Sequence, residues 1–268
     1  MSTTTSPSPG SGLLVLRLVD YWATVYKRTW RGTLISSFLT PLLYVVAMGV
    51  LLGGFVKSDP SRLDGAASYL AFVCPGLVAS QTMTTVFGEV TWPVMSSIKW
   101  NRTYLAMIAT PLRVRDVVWG HLGFVLFRIT LVGTVFVLVL VPFGVFATWW
   151  GVLGAILVQP LLGLAFAAPI YAIAAATTQD AVFTLLFRVV MLPLFFFSGA
   201  FFPIGNLGSA LEFLARVTPL WQGVDLTRML AVGHLDPTRT VVHVVYLAAL
   251  GVVGTWLAVR SLERRLTQ

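Results

Sequence analysis

Six stretches of about twenty residues, each almost wholly apolar, dominate this chain: 34–56, 69–90, 117–140, 150–176, 182–202 and 240–259. Each is long enough to cross the roughly 30 Å hydrocarbon core of a bilayer as an α-helix. Lipid offers backbone N–H and C=O groups no partner, so such runs must satisfy their own hydrogen bonds as helices. Together they occupy most of the 268 residues and leave almost nothing for a globular domain. Charged residues are only 10% of the chain, against about 25% in a typical soluble domain. A soluble enzyme is therefore excluded. The expected fold is all-α and integral to the membrane, a six-span domain over residues 33–260.

Two segments outside the spans have their own pattern. Residues 13–32 carry Arg17, Asp20, Thr24, Lys27, Arg28 and Arg31 on one helical stripe, with Leu14, Leu18, Trp22 and Val25 on much of the rest. That pattern predicts an amphipathic helix lying in the membrane interface. Residues 203–239 are too apolar for a solvated loop and too interrupted, by Pro203, Gly205, Gly208, Pro219 and Gly233, to span. Short re-entrant helices fit them. The fifth run holds Arg188 and Pro193 and is expected to bend or break before leaving the bilayer. Residues 1–12, small, polar and uncharged, read as a disordered leader, and 261–268 as a short cytoplasmic tail. Cys74, the single cysteine, sits within an apolar run as a packing residue.

The chain has 18 Lys and Arg against 10 Asp and Glu. On a soluble protein a formal charge of +8 would suggest nucleic acid; beside apolar runs it reads as orientation and contact with anionic lipid. Arg17, Lys27, Arg28, Arg31, Lys99, Arg102, Arg113, Arg115, Arg260, Arg264 and Arg265 fall on one side of the membrane. Lys57, Arg62, Arg216, Arg228 and Arg239 fall on the other. The richer side marks the cytoplasm, so both termini are expected there.

Chemistry is sparse. No GxxxxGK[ST] phosphate loop occurs, so this chain lacks the usual cradle for ATP. The three histidines have no metal-ligand spacing, and no acidic pair is close enough in sequence to hold magnesium. Carboxylates are absent from mid-span, which argues against an ion-driven antiporter. A transporter of this composition must take its energy from a partner.

Two segments carry a resemblance. The loop between the second and third spans contains NRTYLAMIATPL, residues 101–112, in which a short amphipathic helix ends at Thr110 and Pro111. Residues 195–233 read FFFSGAFFPIGNLGSALEFLARVTPLWQGVDLTRMLAVG: an aromatic run, an FFP turn, a short helix closed by TPL, then Asp225 and Arg228 before Gly233. Both resemble the permease subunits of ABC-2-type exporters, and most nearly the NodJ-like branch of nodulation lipo-oligosaccharide and daunorubicin-type drug exporters. The likeness covers about residues 13–265. It departs after Gly120, where the family often has an acid and this chain has His121.

The resemblance implies a multi-pass protein of the bacterial plasma membrane, a permease that moves lipo-oligosaccharides, glycolipids or hydrophobic drugs outward. It would work with a second permease chain, identical or different, and two ABC ATPase subunits, where ATP and magnesium are bound. The resemblance assigns ATPase coupling to Asn101, Arg102, Thr103, Leu105, Thr110, Pro111, Leu112 and Arg113, although Pro111 could simply end the helix. It assigns the substrate path to Gln81, Thr82, Thr84, Thr85, Arg188, Phe195, Phe196 and Phe197, although span hydroxyls often bond only their own backbone. Pro203 and Pro219 would set the helices that cap the exit. Arg128, about 16 Å into the third span, shares a face with His121 and needs a partner. Glu89 or the carbonyls of a broken helix could serve, making an intramembrane polar seam of Glu89, His121 and Arg128. The alternative is a non-transporting membrane scaffold or assembly subunit.

Overall fold

The computed structural model describes residues 11–47, 63 and 65–266. Long helices form where apolar runs are free of strong breakers, and polar side chains set their ends. Helix α1 is Ser11–Val45. Helix α2, Tyr69–Val90, is capped by the Ser68 hydroxyl, which accepts from the Ala71 amide at 3.1 Å. A kink at Thr91 separates it from α3, Trp92–Lys99, and α4 is the single turn and a half Thr103–Ile108. Helix α5, Val114–Leu140, begins where Asp116 accepts from the Arg113 amide at 3.0 Å. The Thr148 hydroxyl caps α6, Trp149–Ala176.

Next come α7, Ala181–Leu186, a π-helical turn Phe187–Met191, and α8, Leu192–Phe197. A 3-10 turn, Ile204–Leu207, leads into α9, Ser209–Val217. Helix α10, Pro219–Val232, has Thr218 as its cap and proline in its first turn, and it stops at Gly233, whose φ of +80° needs no Cβ. Asp236 accepts amide hydrogens from Thr238 and Arg239 at the start of α11, Pro237–Leu266.

Helix α6 is the hub and touches α2, α5, α10 and α11. It runs in the same direction as α11, with Gly251 against Leu164 and Gly254 against Pro169. A Cβ at Gly254 would stand 2.6 Å from the Pro169 ring, so only glycine permits this approach; small residues serve the same end between helices in lipid. The core runs continuously from Val86 and Leu122 through Leu162 and Ala168 to Leu247 and Leu262.

Among the described residues four helical stretches are long and apolar enough to cross a membrane: Tyr69–Lys99, Val114–Phe143, Trp149–Ala176 and Pro237–Leu266. These correspond to the second, third, fourth and sixth expected spans. The fifth, expected over 182–202, is a shorter apolar helical stretch, Ala181–Phe197, which contains the π turn and Pro193 and ends at Ser198 and Gly199. The first expected span is described only to residue 47, and the leader, apart from residues 11 and 12, lies outside the described residues.

The separate interfacial helix is also corrected. No break falls near residue 33; α1 continues through it. Leu18 packs on Gly120, Trp22 stacks on Phe124 and Tyr26 meets Phe127 edge-on. Steps of about four residues on both helices show that α1 runs beside α5 in the same direction. Aromatic packing against α5 decides this placement, and Lys27, Arg28 and Arg31 stay on its exposed side. The expected tail from 261 is helical to Leu266, with Leu262 buried.

Candidate functional site

At one end of the bundle, the chain turns from α3 to α4 through Arg102, which stands in the left-handed region at φ 50°. A non-glycine residue there costs roughly 1–2 kcal/mol, so packing must hold it. Tyr104 does so. It is buried, its hydroxyl is hydrogen-bonded to His121 Nδ1 on α5, and its ring stacks on Tyr171 of α6. Trp22 of α1 covers the same histidine, with centroids 4.7 Å apart. Lys99 reaches Asp180 at 3.6 Å and the Thr178 carbonyl at 3.5 Å, tying this loop to the α6–α7 connection.

The residues expected to couple to an ATPase lie around this anchor. Asn101, Arg102, Leu105, Thr110, Pro111 and Arg113 are exposed, while Thr103 and Leu112 are partly covered. The helix is shorter than expected, ending at Ile108, so Thr110 to Arg113 form the turn into α5. The end of α11, with Arg260, Arg264 and Arg265, lies at this same end, since α6 and α11 are parallel and Leu262 shares the core of Tyr104.

Midway along, Arg128 Nη1 lies 2.7 Å from Glu89 Oε1, both side chains less than one-fifth exposed. His121, held by Tyr104, also hydrogen-bonds the backbone of Glu89 and so adjoins this pair. Thr82 is buried and donates to Gln159 Oε1 at 2.7 Å, while Gln159 donates to the Ala155 carbonyl. Thr82 therefore fastens α2 to α6 and faces away from any open surface.

Gln81, Thr84 and Thr85 sit on another side of α2, at least partly exposed; the two threonine hydroxyls donate to backbone carbonyls one turn earlier, and the Gln81 amide donates to Thr85 Oγ1 at 3.4 Å. Contact between Phe87 and Phe187 sets α2 beside the π turn that carries exposed Arg188. Phe196 and Phe197 are exposed, and Phe195 packs on Phe201. Thr82 is thus turned toward α6, away from Gln81, Thr84 and Thr85.

At the opposite end, Pro203 precedes the 3-10 turn and Pro219 opens α10. Gly223, in the first half of α10, rests against Leu162 halfway along α6, and Leu230 meets Gly151 at the start of α6. Arg228, only 4% exposed, donates to the Phe72 and Gly199 carbonyls at 3.3 and 2.6 Å and covers the Phe72 ring at 3.9 Å. His243 of α11 lies 2.9 Å from Asp225 and donates to Gln222, which itself donates to the Arg216 carbonyl. The sequence alone assigns no role to Asp225 and Arg228 and does not single out Tyr104 or Gln159. The available signal was polar residues inside otherwise apolar helices.

A helical bundle with several helices of spanning length, and its polar groups paired inside, defines a multi-pass membrane protein. Residues 15–231 match the ABC-2 type transporter family, and the chain belongs to it. It is 31% identical to Nodulation protein J of Rhizobium meliloti strain 1021 over 252 residues, covering 91% of this chain and 94% of that protein. It is 32% identical to Nodulation protein J of Rhizobium leguminosarum bv. trifolii, with the same shares covered. The Inner membrane transport permease YadH of Escherichia coli K12 is 25% identical over 79% of this chain and 73% of its own length. This is a NodJ-like transporter permease, of a family that normally works with an ABC ATPase partner.

Proposed function

We propose that this chain is the permease of an ATP-driven exporter of amphipathic molecules, acting with two ATPase subunits and a second permease chain. The observation that carries the reading is the seat of α4. Its outer edge, Arg102, Leu105, Thr110, Pro111 and Arg113, is exposed and free to meet a partner, whereas Tyr104 beneath it is locked to α5 and α6. A push on that edge is transmitted to the helices, since packed cores shift between discrete arrangements and do not deform continuously.

Helix α6 carries the movement to α10 at the far end. In a bilayer crossed by α6, the segment from Pro203 to Gly233 enters from the outer side and returns to it, forming the exit cap. The α4 end, with its arginines, faces the cytoplasm together with both termini. Gln81, Thr84, Thr85, Arg188 and Phe195 to Phe197 offer an amphipathic substrate scattered polar contacts and aromatic surface. Lipo-oligosaccharides, glycolipids and hydrophobic drugs are the substrates this reading favours.

The test is reconstitution with the ATPase and measurement of turnover across a panel of amphipathic lipids and drugs. Selective stimulation is expected. Thr103→Trp and Leu105→Glu should reach the membrane, retain ATP hydrolysis and lose export. Normal export by both variants would remove the coupling assignment, and turnover indifferent to every compound would favour a scaffold.

A further inference from the structure

Between α9, α10 and the start of α11 lies a polar cavity of about 560 Å3, at the end of the bundle away from α4. Trp221, Asp225 and Arg228 of α10 line it, with His234 and Asp236 from the turn that follows and Arg239 from the first turn of α11. The volume falls within the roughly 300–1,000 Å3 of small-molecule sites. Of its ionisable groups Asp225 and Arg228 are withdrawn from solvent, a costly placement in a membrane protein that marks function by default.

Charge balance indicates the ligand class. Arg216, Arg228 and Arg239 are matched by Glu212, Asp225 and Asp236. Glu212 holds Arg216 at 2.5 Å, Asp225 is engaged by His243, and Arg228 spends donors on the Phe72 and Gly199 carbonyls. A phosphate or sulfate site would present unopposed arginines. Interleaved donors and acceptors suit hydroxyls, each of which both donates and accepts, and the indole offers a surface for the C–H face of a sugar ring.

We propose that this cavity binds the saccharide head group of a lipid-linked substrate at the outward end of the permease. The inference rests on the export reading for its place in transport, but the binding itself needs no ATPase. The probe is maltotriose, titrated by saturation-transfer NMR against the full chain in phosphatidylcholine nanodiscs, after purification in a detergent without a sugar head. Glycerol 3-phosphate is titrated in parallel.

Maltotriose should bind, Trp221→Ala should weaken it at least tenfold and Arg239→Ala at least threefold, and glycerol 3-phosphate should not compete. If Trp221→Ala fails to fold, as judged by thermal melting, the exposed Arg239 and the substitution Trp221→Phe keep the test available. No maltotriose binding, equal affinity in the variants, or displacement by glycerol 3-phosphate overturns the proposal. Substrate-stimulated ATP turnover, measured after the same chain is assembled with its ATPase, separates the two readings: stimulation without trisaccharide binding removes the cavity and leaves export standing.

Discussion

At Tyr104 one hydroxyl joins the exposed loop to the interior, because its partner, His121, is buried on α5. Tyr104→Phe keeps the ring on Tyr171 but strips the histidine of that partner. A buried polar atom left unsatisfied costs about 1–3 kcal/mol, so thermal melting should fall by several degrees, and substrate stimulation of the ATPase should drop more than basal turnover. The Glu89–Arg128 pair invites a double-mutant cycle. Arg128→Leu leaves a carboxylate mostly out of water and should cost about 3 kcal/mol, whereas Arg128→Leu with Glu89→Gln should recover most of the loss in melting experiments. Additive losses would show that the two side chains are not coupled. Sequence depth alone pointed Arg128 toward Glu89, since a mid-span charge needs an opposite one nearby. Thr82, Thr84 and Thr85 could not be told apart in the same way: they lie within one turn, and only the neighbouring Gln159 shows that Thr82 faces inward.

Among the helices, α2, α5 and α6 begin and end within three residues of the expected limits, because Ser68, Asp116 and Thr148 supply caps where the apolar runs start. Helix α1 departs from expectation because amphipathicity states only that one face is apolar. A bilayer surface and the aromatic side of α5 satisfy that face equally well, and Trp22 and Tyr26 chose α5. The topology can be tested in a Cys74→Ser background, which removes the fully buried native thiol. Phe143→Cys, in the exposed turn between α5 and α6, should react in intact cells with a membrane-impermeant maleimide, and Lys99→Cys should react only after lysis. The reverse pattern would invert the proposed orientation.

Across the whole molecule, α6 links the α4 end to the α10 end, and Phe87 of α2 meets Phe187 of the π turn. Thr85→Ala and Phe196→Ala, both on the proposed substrate path, should change which compounds stimulate the assembled transporter while leaving basal ATP turnover within about twofold. An unaltered substrate profile in both variants would place the path elsewhere. The composition and the spacing of apolar runs by themselves determined that this chain is a helical membrane protein, because lipid permits few other forms. The loop around Thr103 and the segment from Phe195 to Gly233 carried its kinship. Tertiary structure alone decided which polar groups meet. Tyr104 with His121, Thr82 with Gln159, and Asp225 with His243 are separated by 17, 77 and 18 residues. Helix rotation and crossing, set by close contacts such as Gly254 on Pro169, bring them together, and no local pattern encodes them.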